Sequence, residues 1–238
     1  MPSPMTKHLQ LIFRGTWLYP FFISGWTERI QNTFIGRSDI RILKESEIVE
    51  FKGSQTEKNL LAAFAGESQA RNRYTFFTSV AKMEGYEQIS AIFQETADNE
   101  KEHAQLFFNL LRGGDAEIVA RYPAGKTGTT SQNLLAGAEG EKFEWGTLYP
   151  GFADVAEREG FMEEGRTFRM VATVEAYHER RYRKLLANLE QGKVFKKDSV
   201  VMWKCRNCGR VLEGTGAPDK CPVCSHPKSF FEVWIENY

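Results

Sequence analysis

Four segments of the chain carry apolar side chains every three to four residues, which is the period of an α-helix. The pattern predicts helices at about 56–82, 87–112, 131–160 and 162–191. Glycines mark a tight turn within each pair of helices, and a longer segment broken by proline and glycine separates the pairs. We therefore predict two helical hairpins joined by a long crossover, the connectivity of a ferritin-like four-helix bundle. Pro150 is expected to kink or interrupt the third helix.

The two hairpins are related by an internal repeat. The segment NLLAAFAGE, which ends on Glu67, returns as NLLAGAEGE, which ends on Glu141. The second helix of each hairpin carries the motif E-x-x-H, in NEKEHA and again in VEAYHE. Residues three apart lie on one face of a helix, so each motif directs a carboxylate and an imidazole to the same side.

These charged residues occupy the apolar stripe of all four helices, where an ordinary glutamate would lie on a solvated face. The inward set consists of Glu67, Glu100, His103, Glu141, Glu144, Glu175 and His178. Five unpaired buried carboxylates would cost several kcal/mol each. Protonation or pairing with Arg71, which the same pattern places inward, could offset one or two of them. Metal cations could offset the whole set, and oxygen-rich ligation with one nitrogen per metal suits iron or manganese. The pattern therefore predicts a dinuclear carboxylate site.

The composition excludes several other classes of protein. The formal net charge is zero, so no broad electrostatic attraction to nucleic acid or to an anionic membrane is expected. No apolar run reaches the length of a membrane-spanning helix. All the cysteines lie near the C-terminus as two C-x-x-C pairs, a usage that fits a reducing compartment and a metal site.

The two C-x-x-C pairs place four thiolates around one metal, and the spacing is highly specific. The ligands are Cys205, Cys208, Cys221 and Cys224. Spacing alone leaves two identities open, because a structural zinc ribbon and an electron-transferring iron site use the same ligands. His226 lies just beyond the second pair and is expected at the surface.

Residues 1–53 are rich in aromatic side chains and follow neither a helical nor a strand period. Three interpretations remain open: a misassigned start codon, a poorly ordered or weakly docked extension, and a targeting segment. We therefore divide the chain into an extension at 1–53, a helical bundle at 54–192 and a small metal-binding β domain at 193–238.

From about Phe51 onward the sequence resembles the rubrerythrin family, in which a ferritin-like di-iron domain precedes a rubredoxin-like domain. The resemblance rests on the motifs FAGESQARNRY, NEKEHA, GEKFEWGTLYP, VEAYHERRY and WKCRNCG followed by CPVC. It implies that the seven inward residues are di-iron ligands, that Glu100 and Glu175 bridge the metals, and that the cysteines hold one iron. It also implies that Tyr74 and Tyr149 form hydrogen bonds near the di-iron site. One departure is Ser225, where rubredoxins often have glycine.

The resemblance further implies a peroxidase of oxidative-stress defence, cytoplasmic and homodimeric or larger. Hydrogen peroxide would be reduced to water at the di-iron site, and the cysteine-bound iron would return electrons from rubredoxin or an NAD(P)H-dependent reductase. The resemblance also implies that one iron exchanges Glu144 for His103 on reduction. Two alternatives stay open: a ferroxidase that handles iron, and a zinc-containing interaction module without enzymatic activity. The second alternative predicts a colourless protein.

Overall fold

A computed structural model describes residues 49–237, which form five α-helices and one three-stranded sheet. The helices are α1 (Gln55–Met83), α2 (Glu87–Leu110), α3 (Thr130–Phe143), α4 (Tyr149–Glu159) and α5 (Met162–Glu190), with a π-helical turn at Glu144–Leu148. The predicted class, a mainly helical bundle followed by a small β module, is confirmed. The interpretations of residues 1–48 lie outside the described part of the chain.

The ends of the helices follow from local capping. Ser54 accepts a hydrogen bond from the backbone N–H of Glu57 at 3.0 Å and so begins α1. Thr129 and Gln132 form a reciprocal capping box at the start of α3. Gly160 ends α4 in the left-handed conformation, with φ of 89°, which glycine adopts without strain. Each hairpin is thus delimited by its own sequence.

The predicted third helix is interrupted, but Pro150 does not kink it. The break is the π-helical turn just before Pro150, in which the backbone N–H of Tyr149 donates to the carbonyl of Glu144. Pro150 occupies the first turn of α4, where a missing N–H is tolerated. The widened turn therefore takes the place of the expected kink.

Two apolar clusters fill the bundle, one on each side of the inward carboxylates. Tyr74, Phe93 and Tyr182 belong to the first cluster, while Phe107 and Phe168 belong to the second. Both clusters exclude water from the layer between them, which raises the cost of an unpaired charge there.

Arg71, which the helical pattern placed inward, lies at the surface, and so does Trp145, which the same pattern places on the stripe of the predicted third helix. Arg71 is exposed, so it cannot neutralise the buried carboxylates. Trp145 is 37% exposed and its indole N–H donates to Glu179 at 2.7 Å. Arg71 is exposed because the buried stripe on α1 drifts slightly from the ideal helical period. Trp145 is exposed because it lies in the π-helical turn, where the helical period is broken.

The bundle core begins before the predicted boundary at residue 54. Phe51 is buried, and its ring packs edge-on against Phe161 with 5.4 Å between centroids. The guanidinium of Arg112 lies 4.1 Å from the centre of the Phe51 ring. Phe51 therefore belongs to the bundle, because its ring fills the end of the second apolar cluster.

The C-terminal module is a small antiparallel sheet. Its strands are β1 (Lys196–Cys205), β2 (Val211–Gly216) and β3 (Phe231–Val233), in the order β2-β1-β3. The ring of Phe195 stacks on Tyr86 at the turn between α1 and α2, with 6.1 Å between centroids. No helix among the described residues combines the length and the apolar character needed to cross a membrane.

Candidate metal centres

Six of the seven inward residues converge in the middle of the bundle. They form two groups whose ligand atoms lie within 4.8 Å of one another, and all six are nearly inaccessible to solvent. The first group is Glu67, Glu100, His103 and Glu175, and the second is Glu100, Glu141, Glu175 and His178. Glu100 and Glu175 are common to both groups, so the arrangement has the shape of two metal positions joined by two carboxylates.

Contacts within the two groups are too many for hydrogen bonding to explain. The Nδ1 atom of His103 lies 2.9 Å from Glu100 Oε2 and also 2.9 Å from Glu175 Oε1. The Nδ1 atom of His178 lies 2.7 Å from Glu175 Oε2 and 3.3 Å from Glu100 Oε1. One imidazole nitrogen carries at most one proton, so it cannot donate to two carboxylates at full strength.

Several buried oxygen atoms in this layer form no hydrogen bond of acceptable geometry with any described residue, even where an imidazole nitrogen lies close by. They are Glu67 Oε2, Glu100 Oε1, Glu141 Oε2 and both carboxylate oxygens of Glu175. An orphaned buried carboxylate oxygen is costly unless a cation or a donor meets it. The residues therefore fit a pair of hard or borderline cations held mainly by oxygen, with one imidazole for each.

Two tyrosines hold the outer carboxylates across the bundle. Tyr74 in α1 donates to Glu141 Oε1 in α3 at 2.5 Å. In the reciprocal contact, Tyr149 at the start of α4 donates to Glu67 in α1. Each hydrogen bond satisfies one carboxylate oxygen and leaves the other available to a metal, as ligands of a preformed site require. The sequence alone could suggest these tyrosines but not their crossed pairing.

The π-helical turn accounts for an irregularity in the repeat. Glu67 and Glu141 are separated by 74 positions, whereas the tyrosines and both E-x-x-H motifs are separated by 75. A π-helical turn contains one residue more than an α-helical turn, so the extra position lies in this turn. Glu144 begins the turn and aligns with Gln69 or Ala70 of the first hairpin, neither of which is acidic. The seventh predicted ligand is thus the one without a repeat partner.

Glu144 lies outside both groups of converging ligand atoms. It is still close enough that Glu175 and Glu100 act on its charge, and Arg73 faces it from α1. His103 occupies the first group instead. The structure therefore brings together six of the predicted ligands and places Glu144 beside them. Whether all seven bind metal stays a prediction.

Two supporting residues were missed by reading the sequence. Asn99 Oδ1 lies 3.3 Å from His178 Nε2, so it can fix the ring orientation and the tautomer of that imidazole. Arg73 directs its Nε toward Gln69 Oε1 at 2.7 Å and supplies a positive charge near Glu144. Asn99 directly precedes Glu100, yet nothing in its spacing singles it out, because its partner is on another helix.

Proton affinities in the metal-free chain follow from burial. Burial is the main cause of the raised pKa values of Glu67 and Glu141, which lie well above the usual carboxyl value, and repulsion from neighbouring carboxylates adds to it. The same two causes raise the pKa of Glu144 to about 8. Burial alone would lower the pKa of the imidazoles, but their carboxylate contacts raise it to about 10 for His103 and about 9 for His178. Without cations the layer therefore retains protons, which metal ions would displace.

The four cysteines meet at one end of the β module. Cys205 Sγ is 3.7 Å from Cys224 Sγ, and Cys208 Sγ is 3.6 Å from Cys221 Sγ. A tetrahedron with metal–sulfur bonds of about 2.3 Å has edges of roughly 3.8 Å, so these separations fit one metal ion. The pKa of the Cys224 thiol is lowered to about 6, chiefly because the backbone N–H of His226 donates to its sulfur. The imidazole of His226 instead packs on Phe230 and is not part of the cluster.

A four-helix bundle with a carboxylate-bridged dinuclear centre, followed by a four-thiolate module, defines the class of ferritin-like proteins with a rubredoxin-like domain. The rubrerythrin family model matches residues 58–186, and the model of the rubrerythrin rubredoxin-like domain matches residues 203–232. The chain belongs to the rubrerythrin family.

Named relatives agree with this assignment. Rubrerythrin of Porphyromonas gingivalis is 58% identical over 187 residues, which cover 79% of this chain and 94% of that protein. Rubrerythrin of Nitratidesulfovibrio vulgaris is 53% identical over 187 residues, covering 79% of this chain and 98% of that protein. The solved structure of nigerythrin in its fully reduced, all-ferrous state aligns with a TM-score of 0.52 and 32% identity, covering 81% of this chain and 91% of that one.

Family membership decides between metals that spacing could not separate. The cofactors are a di-iron centre of carboxylate and histidine ligands in the bundle and one iron in the four-cysteine cluster. The zinc-ribbon alternative is therefore wrong for the cysteine cluster. Members of this family are generally oxidoreductases, which agrees with two redox-active sites in one chain.

Proposed function

We propose that the protein is a non-haem iron peroxidase that reduces hydrogen peroxide to two waters at the carboxylate–histidine centre. The observation that carries this proposal is the pair of overlapping ligand groups that share Glu100 and Glu175. When bound there, an iron pair supplies the two electrons that the reduction of one peroxide molecule needs. The cysteine cluster then serves as the entry point for replacement electrons.

We propose that the seven inward residues are metal ligands with different roles. Glu100 and Glu175 join the two metal positions, while Glu67 and Glu141 are held at their outer sides by Tyr149 and Tyr74. These hydrogen bonds keep the outer carboxylates in place through the redox cycle.

His103 and Glu144 are proposed to alternate at one position. His103 lies inside the first ligand group, and Glu144 lies beside it without entering either group. In the metal-free chain, burial and the carboxylate neighbours raise the pKa of Glu144 to about 8, so its carboxyl group holds a proton there at neutral pH.

The electron donor is proposed to be rubredoxin or an NAD(P)H-dependent reductase, and the chain is proposed to act in oxidative-stress defence as a homodimer or larger oligomer. Four thiolates around one iron suit single-electron transfer, since the ligand set does not need to change. A ferroxidase would instead accumulate iron beyond about three ions per chain, the number that the two sites accommodate.

The test separates the two sites with the variant Cys221→Ser, which removes one thiolate of the cluster. Chemically reduced variant should react once with hydrogen peroxide at close to the wild-type rate in stopped flow, because the di-iron ligands lie in the bundle. Continuous turnover with an NAD(P)H-dependent donor system should fall sharply. His226→Gln, a change outside the cluster, is the matched control and should preserve both.

Two results would contradict the proposal. If reduced wild-type protein oxidises without consuming one peroxide per iron pair, the peroxidase assignment fails. If continuous turnover survives in Cys221→Ser, the cysteine iron does not relay electrons, and the bundle receives them directly.

A further inference from the structure

The crossover segment, residues 111–129, encloses a cavity of about 650 Å³ against the outer face of α1. We call it the crossover cavity. Tyr122 ties the segment down, because its hydroxyl donates to the carbonyl of Ala62 at 2.8 Å and its ring lies over Gly66. The crossover segment and α1 form two walls of the cavity, and the π-helical turn with the first residues of α4 forms the third. The cavity therefore follows α1 along several turns.

The crossover cavity reaches the carboxylate–histidine centre. Glu144 and Tyr149 both line it. Tyr149 donates to Glu67, which belongs to the first ligand group. A molecule in this cavity would therefore contact two side chains that border the centre.

The cavity is much larger than hydrogen peroxide requires. A water molecule occupies roughly 30 Å³ of liquid, and peroxide is only slightly larger. Cavities of about 300–1,000 Å³ are typical of organic ligands. Apolar side chains form much of the wall, including Ala63, Ile118, Leu148 and Phe152. The walls therefore suit a hydrocarbon body.

The charged part of the lining holds three cations, Lys58, Arg73 and Arg121, and two carboxyl groups, Glu117 and Glu144. Arg73 acts on the charge of Glu144, whereas Lys58 and Arg121 form no ion pair with a carboxylate among residues 49–237. Asn59 also lines the cavity, and although this side chain is only 5% exposed, its amide Nδ2 has no acceptor in the described part of the chain. A buried donor without a partner beside the unpaired Lys58 is the complement of an anionic group.

We propose that the crossover cavity binds an amphipathic organic carboxylate, with its head group at Lys58 and Asn59 and its body along α1 toward Glu144. The ligand class is a hydroperoxide of a long-chain carboxylic acid, so the inference rests on the proposed peroxidase function. Lys58 and Gln69 are eleven residues apart on α1, which corresponds to about 16 Å along the helix. That length accommodates an acyl chain between the head group and the reacting end.

The reaction balances in the same way as the reduction of hydrogen peroxide. One R–O–O–H takes up two electrons from the reduced iron pair and two protons from solvent. The O–O bond breaks, and the products are one alcohol, R–OH, and one water. The carboxylate is unchanged and serves only for binding.

Binding is tested first, on the full-length iron-loaded chain by calorimetry, with dodecanoate and its methyl ester below their aggregation limits. Dodecanoate should bind at one site per chain, and the ester should bind at least about tenfold more weakly because it lacks the charge. Lys58→Gln, at an exposed position, should weaken dodecanoate by about tenfold. Ala62→Phe should do so by filling the cavity, whereas Ala136→Phe, an exposed alanine outside the lining, should have no effect.

Turnover is tested second, with linoleic acid hydroperoxide and hydrogen peroxide on the same preparations. The ratio of kcat/KM for the organic substrate to that for hydrogen peroxide should fall about tenfold in Lys58→Gln and in Ala62→Phe. The control Ala136→Phe should keep the wild-type ratio.

The outcomes separate this inference from the proposed function. If hydrogen peroxide is reduced but dodecanoate does not bind, or the ester binds equally well, the inference is overturned and the peroxidase stands. If dodecanoate binds but the organic hydroperoxide is not reduced, the substrate assignment is overturned. If neither peroxide is reduced, the peroxidase function and the substrate assignment fail together.

Discussion

At the scale of single residues, Glu100 and Glu175 differ from every other carboxylate in the bundle because both ligand groups contain them. Burial is not what distinguishes them, since Glu67 and Glu141 are equally inaccessible. Glu144 is the opposite case, because it belongs to neither group and lies in a turn that the first hairpin lacks. Removing a shared residue and removing Glu144 should therefore have different consequences.

We expect Glu175→Ala to lose the iron pair and to retain about one iron per chain, since four thiolates still hold one ion. Glu144→Ala should keep about three irons when reduced, because six ligands remain, while its peroxide turnover slows. Metal analysis of anaerobically prepared protein measures both. Glu102→Ala, an exposed glutamate on the same helix as Glu100, is the control. Equal iron loss from Glu144→Ala and Glu175→Ala would refute the distinction.

Ser225 is another residue with a conformation unlike its neighbours. It has φ of 57°, and no other non-glycine residue among those described has a positive φ. Gly209 holds the matching position after the first C-x-x-C pair, with φ of 77°. A residue with a side chain in the left-handed region costs the folded state about 1–2 kcal/mol. Replacing it by glycine removes this cost, but glycine also makes the unfolded chain more flexible, which offsets part of the gain.

Ser225→Gly should therefore stabilise the β module by up to about 1 kcal/mol. The reciprocal change Gly209→Ser should destabilise it by a similar amount. Loss of the visible absorbance of the ferric four-thiolate site in a denaturant titration reports both. A Ser225→Gly module that unfolds at a lower denaturant concentration would show that the serine side chain contributes a compensating contact.

At the scale of elements, the π-helical turn takes up the one extra residue between Glu141 and Tyr149. Both flanks of the turn are fixed, since Glu141 is buried on one side and Tyr149 on the other. The residues between them are exposed or half-buried. One residue could therefore be removed from the turn without moving either flank out of the core.

Deletion of Gly146 should convert the turn to α-helix and leave the helix content unchanged, because Glu141 and Tyr149 then have the same spacing as Glu67 and Tyr74 in the first hairpin. Glu144 keeps its backbone hydrogen bond to Gly140 and its place three residues after Glu141, so the iron content should stay at about three per chain. Deletion of Gly151, also exposed but within α4, is the contrast, because it should rotate the buried Ala153 and Ala156 and lower Tm. Circular dichroism and metal analysis distinguish the two. Loss of the iron pair on deleting Gly146 would mean that the turn supports the whole centre.

At the scale of the whole molecule, the carboxylate layer sets how stability depends on pH. The raised pKa values of Glu67, Glu141 and Glu144 mean that the folded iron-free chain binds more protons than the unfolded chain. The raised pKa values of the two imidazoles act in the same direction, while the lowered pKa of Glu175 opposes them.

The iron-free bundle should therefore lose stability as pH rises from about 5 to 8. The loss begins above the usual carboxyl pKa, which applies to the unfolded chain, and continues up to the raised pKa of Glu144 in the folded chain. Iron binding replaces these protons, so the Tm difference between loaded and iron-free protein should grow over the same range. Each kcal/mol corresponds to roughly 2–4 °C for a domain of this size. Thermal melts followed at the helical band test this. A difference that shrinks with rising pH would contradict proton displacement.

The sequence by itself determined the features that depend on neighbours in the chain. Helical period, caps and glycine stops fixed the hairpins, because each arises within a few residues. The E-x-x-H motifs predicted inward ligands for the same reason, and the cysteine spacing predicted one four-thiolate site. Family resemblance added the two tyrosines near the site and the choice of iron.

Tertiary structure decided what depends on residues far apart. The crossed contacts of Tyr74 and Tyr149 join different helices, and so does the pairing of Asn99 with His178. Phe51 joined the core because Phe161, more than a hundred residues later, packs against it. The crossover cavity exists only because Tyr122 fastens an irregular segment over α1. A local sequence pattern cannot predict such contacts, because their free energy arises from packing and hydrogen bonds between segments that are far apart in the sequence.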